Sequence, residues 1–179
     1  MRKTAPREQV NREFYRLFRN TDLNHLRRLA RDWFTDEMAS NADLFIPETC
    51  RLLEQYRRQG AIIVFLSGSA DFIIEPIARH LGGATVLAIH LADENGIATG
   101  ELAGIQTIGA GKREALEAFV RENALSLAGS VAFGDHISDL PFLEIVDHPV
   151  AVGGDQELER VAHQNGWPIL EVAHLSPTA

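Results

Sequence analysis

The stretch FGDHISDLPFL, residues 133–143, sets Asp135 and Asp139 four positions apart, where an apolar run ends and a helical pattern over 138–146 begins. One helical turn separates them, so both carboxylates can project toward one point, and Gly134 permits a tight exit from the preceding strand. Magnesium takes one or two carboxylates and keeps several waters or phosphate oxygens, which suits such a pair. The plainer alternative makes Asp135 an N-cap and Asp139 a surface acid in the first turn. Two further groups could act on an anion. VFLSGS leaves Ser67 where a strand passes into a helix. Its hydroxyl and the following N–H groups, beginning with Gly68, can face an anion near the positive helix end, although a serine there also serves as a simple cap. GAGKREALEAF puts Lys112 in the first turn of a helix. The dipole disfavours a cation at that place and a local anion would offset it; a lysine in solvent beside a flexible Gly-Ala-Gly turn accounts for the same residues.

The elements that must hold these groups alternate along the second two thirds of the chain. AIIVFLSG, TVLAIHLADENGIATGEL, SVAFGD, HPVAVGG and WPILEV read as strands, separated by helices over 70–81, 111–124, 138–146 and 155–165. Alternation at these lengths implies an α/β fold with a parallel sheet covered on both faces. Within residues 85–104, Asn95-Gly96 marks a hairpin. Before residue 60 the pattern is helical: Val10, Phe14, Leu17 and Phe18 recur at three and four, as do Leu26, Leu29, Ala30, Trp33 and Phe34. Thr21 or Asp22 can cap the second helix, Pro47 opens a third, and Gly60 closes it. The organisation expected is a helical subdomain over 1–59 and an α/β core over 60–179. In such a sheet ligands bind beyond the carboxyl ends of the strands, and Ser67, Lys112 and the Asp135–Asp139 pair all fall at such ends.

With 179 residues, 45% apolar and 23% charged, the chain has the length of one domain with a small attachment. The single Cys50 makes no internal disulfide, and no apolar run approaches the roughly 20 residues that span a bilayer. The start, MRKTAPREQVNREFYRLFRN, is basic without an apolar stretch and reads as mature sequence. A cytoplasmic protein with no membrane partner is the expectation. The net charge of −8 hides nine Lys or Arg against three Asp or Glu within residues 1–31. Arg12, Arg16, Arg19, Arg27, Arg28 and Arg31 read as solvated helix faces, and an overall pI of about 5.3 without a recognised motif argues against a nucleic-acid partner.

Residues 44–172 resemble the haloacid dehalogenase-like hydrolase superfamily, in its phosphoserine phosphatase-like branch with a helical cap. FLSGSADFIIEPIA is similar to that family's second motif, GKREALEAF to its third and FGDHISDLPFLEIV to its fourth. The resemblance implies a Rossmann-like three-layer α/β core, helices 8–59 forming much of a cap, and a magnesium-dependent phosphatase of small phosphorylated metabolites. It makes Ser67 and Gly68 phosphate-binding, Lys112 the cation that neutralises phosphate and nucleophile, and Asp135 with Asp139 the acidic pair of the magnesium site. His136 stands where related sequences often carry a small hydroxyl residue.

One part of the pattern is missing. The family's nucleophile is the first aspartate of a DxDGT-like motif on the first strand, which lies in mid-sheet between the strands ending at Ser67 and Asp135. No such stretch precedes the helices here, and Asp22, Asp32, Asp36 and Asp43 stand in helical or polar context. The chain is therefore expected to be late-started, truncated, or a pseudoenzyme completed by a second copy or another partner chain. Taken alone it is expected to be inactive, with the alternative of a non-catalytic binding module.

Overall fold

The computed structural model describes residues 6–42 and 44–171. Two compact units, Met1–Ala115 and Leu116–Ala179, divide the chain. The boundary falls inside a helix.

The first unit opens with α1 (Arg7–Arg16), α2 (Leu23–Ser40) and α3 (Pro47–Arg58). Asp22 caps α2, its carboxylate accepting from the Asn24 N–H at 2.8 Å. Proline begins α3, and Gly60 follows its end at φ +82°. The helices stand where the periodicity places them, and only part of each apolar face is buried. Tyr15 is buried on α1, whereas Val10, Phe14 and Leu17 are 55%, 49% and 78% exposed. On α2, Leu23, Leu26, Ala30 and Phe34 are buried while Leu29 and Trp33 stay exposed. The inward stripe of each helix is thus narrower than its apolar composition.

Strands β1 (Val64–Ala70), β2 (Thr85–Glu94) and β3 (Ile97–Ala103) form one sheet in that order. β1 and β2 are parallel, joined through α4 (Asp71–His80), which packs on both strands and against α2. β2 and β3 form the expected hairpin: Asn95 and Gly96 take φ of +53° and +83°, as a two-residue turn with both φ positive requires. The outer edge of β3 is covered by the chain entering α2, through Asn20 N–H to Ala98 O, Ala98 N–H to Thr21 O and Leu23 N–H to Gly96 O, each 2.8 Å. The core gathers Tyr15, Leu23, Leu26, Ala30, Ala70, Phe72, Ile89, Leu91 and Ala98.

In the second unit β4 (Val131–Gly134), β5 (His148–Val152) and β6 (Ile169–Leu170) are parallel, in that order. Helix α5 (Ala110–Glu122) crosses the unit boundary, and α7 (Gln156–Asn165) runs from its Asp155 cap to Gly166 at φ +67°. The helix expected over 138–146 is broken: a 3₁₀ turn, Ile137–Asp139, precedes the four-residue α6 (Leu140–Leu143), with Pro141 in the first turn of α6. Leu143 and Leu158 are fully buried, and each contributes about 2 kcal/mol of apolar burial. Among the described residues no ladder joins β1 to β4, so the strands form two three-stranded sheets. No helix among them is long and apolar enough to cross a membrane.

Candidate functional site

Ser67 does not sit at the end of its strand. Between Leu66 and Ala70 the β1–β2 register slips, Leu66 facing Leu87 and Ala70 facing Ile89, so residues 67–69 bulge from the ladder before α4 begins. The Ser67 hydroxyl accepts from the Ser69 N–H at 3.1 Å, which leaves its own proton to donate elsewhere. Gly68 is needed for close approach, since a Cβ there would lie 3.0 Å from Ile108 Cγ1.

The turn leading to Lys112 is equally tight. Gly109 has φ +53°, and the Gly111 and Lys112 N–H groups donate to Ile108 O at 2.9 Å and Gly109 O at 3.1 Å. At Gly111 a Cβ would come within 1.8 Å of the Gln106 carbonyl oxygen, so no side chain fits without moving backbone. Lys112 follows as the third residue of α5. The turn is tied to the Ser67 bulge by Thr107, only 2% exposed, whose hydroxyl donates to Ser67 O at 2.5 Å.

Several residues beyond the sequence reading join this network. Asn11 of α1 donates from Nδ2 to Gly68 O at 3.2 Å, while its Oδ1 accepts from Gln106 Nε2 at 3.0 Å. Gln106 Oε1 in turn accepts from Arg12 Nε and Nη2 at 3.2 and 3.0 Å. Burial pushes the Tyr15 phenol up and the nearby Asp71 charge adds to this, against hydrogen bonds from the Ala70 backbone and the Asn11 side chain. Asp71, first residue of α4, meets His90 Nδ1 at 2.7 Å. Burial would raise its carboxyl, but the His90 hydrogen bond and charge and the Phe72 N–H outweigh this and hold it below the usual range. The hydrogen bond to Asp71 holds the His90 imidazole above its ordinary value against desolvation. The Asp71–His90 and Asn11–Gln106 partners are 19 and 95 positions apart, so no local pattern announces them; the visible signal is Gln106-Thr107, a polar pair within the otherwise apolar GIQTIG.

In the second unit Asp139 is 3% exposed and its Oδ2 accepts from the Asp135 N–H at 3.3 Å, while Asp135 is exposed. Asp139 is thus a buried acid in a 3₁₀ turn, not a surface acid of a helix. Asp135 is not the cap: His136 is, with Nδ1 accepting from the Ser138 N–H at 3.0 Å. A serine or threonine hydroxyl would accept the same N–H, which explains why a histidine can stand there. Its Nε2 lies 3.7 Å from Asp155 Oδ2. Gly134 serves close approach as well, because a Cβ would lie 2.9 Å from both Asp139 Cβ and Leu143 Cδ1.

The structure brings Ser67 and the Lys112 turn together in one unit, and Asp135 and Asp139 together in the other. Among the described residues no group of three His, Cys, Asp or Glu is placed to hold a metal. A pair of hard carboxylates with one exposed member fits an ion that keeps most of its waters. Asp22 is spent as the α2 cap and Asp43 lies outside the described residues. Arg16 and Arg19 face Glu101 at 3.5 and 3.6 Å, in keeping with solvated helix faces.

A family model described as haloacid dehalogenase-like hydrolase matches residues 1–144. A probable phosphatase of Mycobacterium tuberculosis is 35% identical over 127 residues, 71% of this chain and 44% of its own length. A histidinol-phosphatase of Neisseria meningitidis is 30% identical over 186 residues, 93% of this chain and 83% of its own. The chain thus spans under half the length of the Mycobacterium relative. Among solved structures, a protein with unknown function from Bordetella pertussis superposes with a TM-score of 0.84 at 21% identity, covering 94% of this chain and 76% of the other. A probable phosphoserine phosphatase from Vibrio cholerae gives 0.70 at 18%, covering 96% and 49%. At these identities the likeness shows the fold alone.

Proposed function

Because the chain belongs to the haloacid dehalogenase-like hydrolase family, we propose that it is the scaffold of a magnesium-dependent phosphomonoester phosphatase, acting on a small phosphorylated metabolite through an aspartyl-phosphate. The observation that carries this reading is that the family match runs through Ser67, Lys112, Asp135 and Asp139 alike. The Ser67 hydroxyl, its oxygen engaged by the Ser69 N–H, donates its proton to a phosphoryl oxygen, and the Gly68 N–H supports it. Lys112 balances the charge gathering on the transferring group. Asp135 and Asp139 hold magnesium, which when bound neutralises phosphoryl oxygens. The buried Asp139, fixed by the Asp135 N–H, orients the turn.

The attacking carboxylate is assigned to a strand laid along the outer edge of β1, contributed by another segment or a partner chain. These 179 residues alone then turn over no generic phosphomonoester. Calorimetry checks the binding half: magnesium binds wild type and is lost in Asp135→Asn, while Ser67→Ala and Lys112→Ala each weaken orthophosphate by about tenfold, as expected for a charge-assisted bond. Manganese in place of magnesium should broaden the ³¹P resonance of bound orthophosphate; a sharp resonance would show that the two pairs serve different points. Magnesium-dependent turnover of p-nitrophenyl phosphate, abolished by Asp135→Ala, would place the nucleophile within these residues and defeat the strand assignment.

A further inference from the structure

Three hydrogen bonds close a ring through three segments distant in sequence. Ser67 and Gly68, adjacent on the β1 bulge, present their carbonyls to Thr107 Oγ1 at 2.5 Å and to Asn11 Nδ2 at 3.2 Å. Asn11 is joined to Gln106 at 3.0 Å, and Gln106 is the neighbour of Thr107. Gln106 also donates to Glu8 O at 2.8 Å and accepts from Arg12, so both ends of its amide are engaged. Each amide nitrogen donates and each amide oxygen accepts, which fixes both amide orientations. The ring leads directly into the Lys112 turn, because the Gln106 carbonyl is the group that excludes a side chain at Gly111.

We propose that Thr107, with Asn11 and Gln106, is a positioning residue for the phosphate-contacting pair, holding the Ser67 bulge and the Lys112 turn at a fixed separation and coupling both to α1. This rests on the phosphate-site reading given above. The physical case is that Ser67 and Lys112 lie on turns that local sequence leaves free to shift, whereas oxyanion recognition tolerates displacements of only about 0.5 Å. Thr107 is buried, so removing its hydroxyl leaves the Ser67 carbonyl without this partner in a place that water does not reach freely. The bulge then relaxes away from the Lys112 turn.

The test uses the full chain, orthophosphate as the probe, and two readouts. Thr107→Val is expected to weaken orthophosphate binding about tenfold and to speed amide exchange selectively at Ser69, Gly111 and Lys112. Thr107→Ser, which restores the hydroxyl, is expected to return both to wild type. Asn11→Ala, at a half-buried position, is expected to speed exchange at Ser69 while leaving β2 amides unchanged. Wild type that binds orthophosphate while Thr107→Val leaves affinity and Ser69 exchange unaltered overturns the proposal. So does Thr107→Ser as impaired as Thr107→Val, or exchange that rises equally across α4 and β2. Wild type that binds no orthophosphate overturns the phosphate-site reading instead, and amide exchange still decides whether the ring holds the two turns.

Discussion

The Ser67–Lys112 region and the Asp135–Asp139 turn are built by opposite means. In the first, each turn is held by partners far away in sequence: Thr107 reaches back 40 positions to Ser67, and Asn11 spans 57 to Gly68. In the second, hydrogen bonds tie Asp135 to Asp139 and His136 to Ser138 within four residues, and His136 also approaches Asp155. A turn that carries its own restraints keeps its shape whenever its strand forms. One that borrows them depends on the whole unit having assembled.

The largest effect that separates the two regions is expected from Gly111→Ala. Its Cβ would overlap the Gln106 carbonyl, which belongs to the restrained ring and cannot swing away. A loss of about 3 kcal/mol, or roughly 8 °C in Tm by calorimetry, is expected. Gly134→Ala presses instead on Asp139 and Leu143 side-chain atoms at 2.9 Å, which can give slightly. About 2 kcal/mol is expected there, with the Asp135 amide resonance displaced because its acceptor moves. A larger loss at Gly134 than at Gly111 would invert the comparison.

The smallest effect concerns pH and is confined to the first region. His90, held above its ordinary value by Asp71, contributes stability that is complete below its unfolded pKa near 6.5 and is lost as pH rises through the raised folded value. Asp71, held low, contributes stability present above its ordinary carboxylate value and lost as pH falls through the lowered folded value. The pair therefore supports the fold in the window between the two. With His90 exposed to solvent, screening limits this to about 0.5 kcal/mol. Denaturant midpoints across pH should show this step in wild type and lose it in His90→Gln, while Asp155→Ala leaves it in place.

The same contrast explains what the sequence made legible. The Asn95-Gly96 hairpin, Pro47 at the head of α3 and Asp22 as the α2 cap are short-range statements, and each stands in the structure. Asn11 and Gln106 were invisible because their roles arise from partners about 95 residues apart. The exposure of Phe14 and Trp33 was not legible for a related reason: periodicity marks an apolar stripe but not which part of it finds a neighbour. The helix expected over 138–146 broke because Asp139 turns inward, a tertiary demand that local propensity does not register.

The slip in β1 obeys a parity rule. Four steps along β1, from Leu66 to Ala70, match two along β2, from Leu87 to Ile89, so the surplus is two residues. Side chains alternate between faces with period two, and an even surplus leaves Ala70 on the face it would have occupied without any slip. Ala70 and Ile89 are both wholly buried. A surplus of one or three would turn Ala70 outward and start α4 from the opposite face of the sheet. Two is the smallest excess that frees a stretch of backbone around Ser67 while leaving the inside and outside of everything after it unchanged.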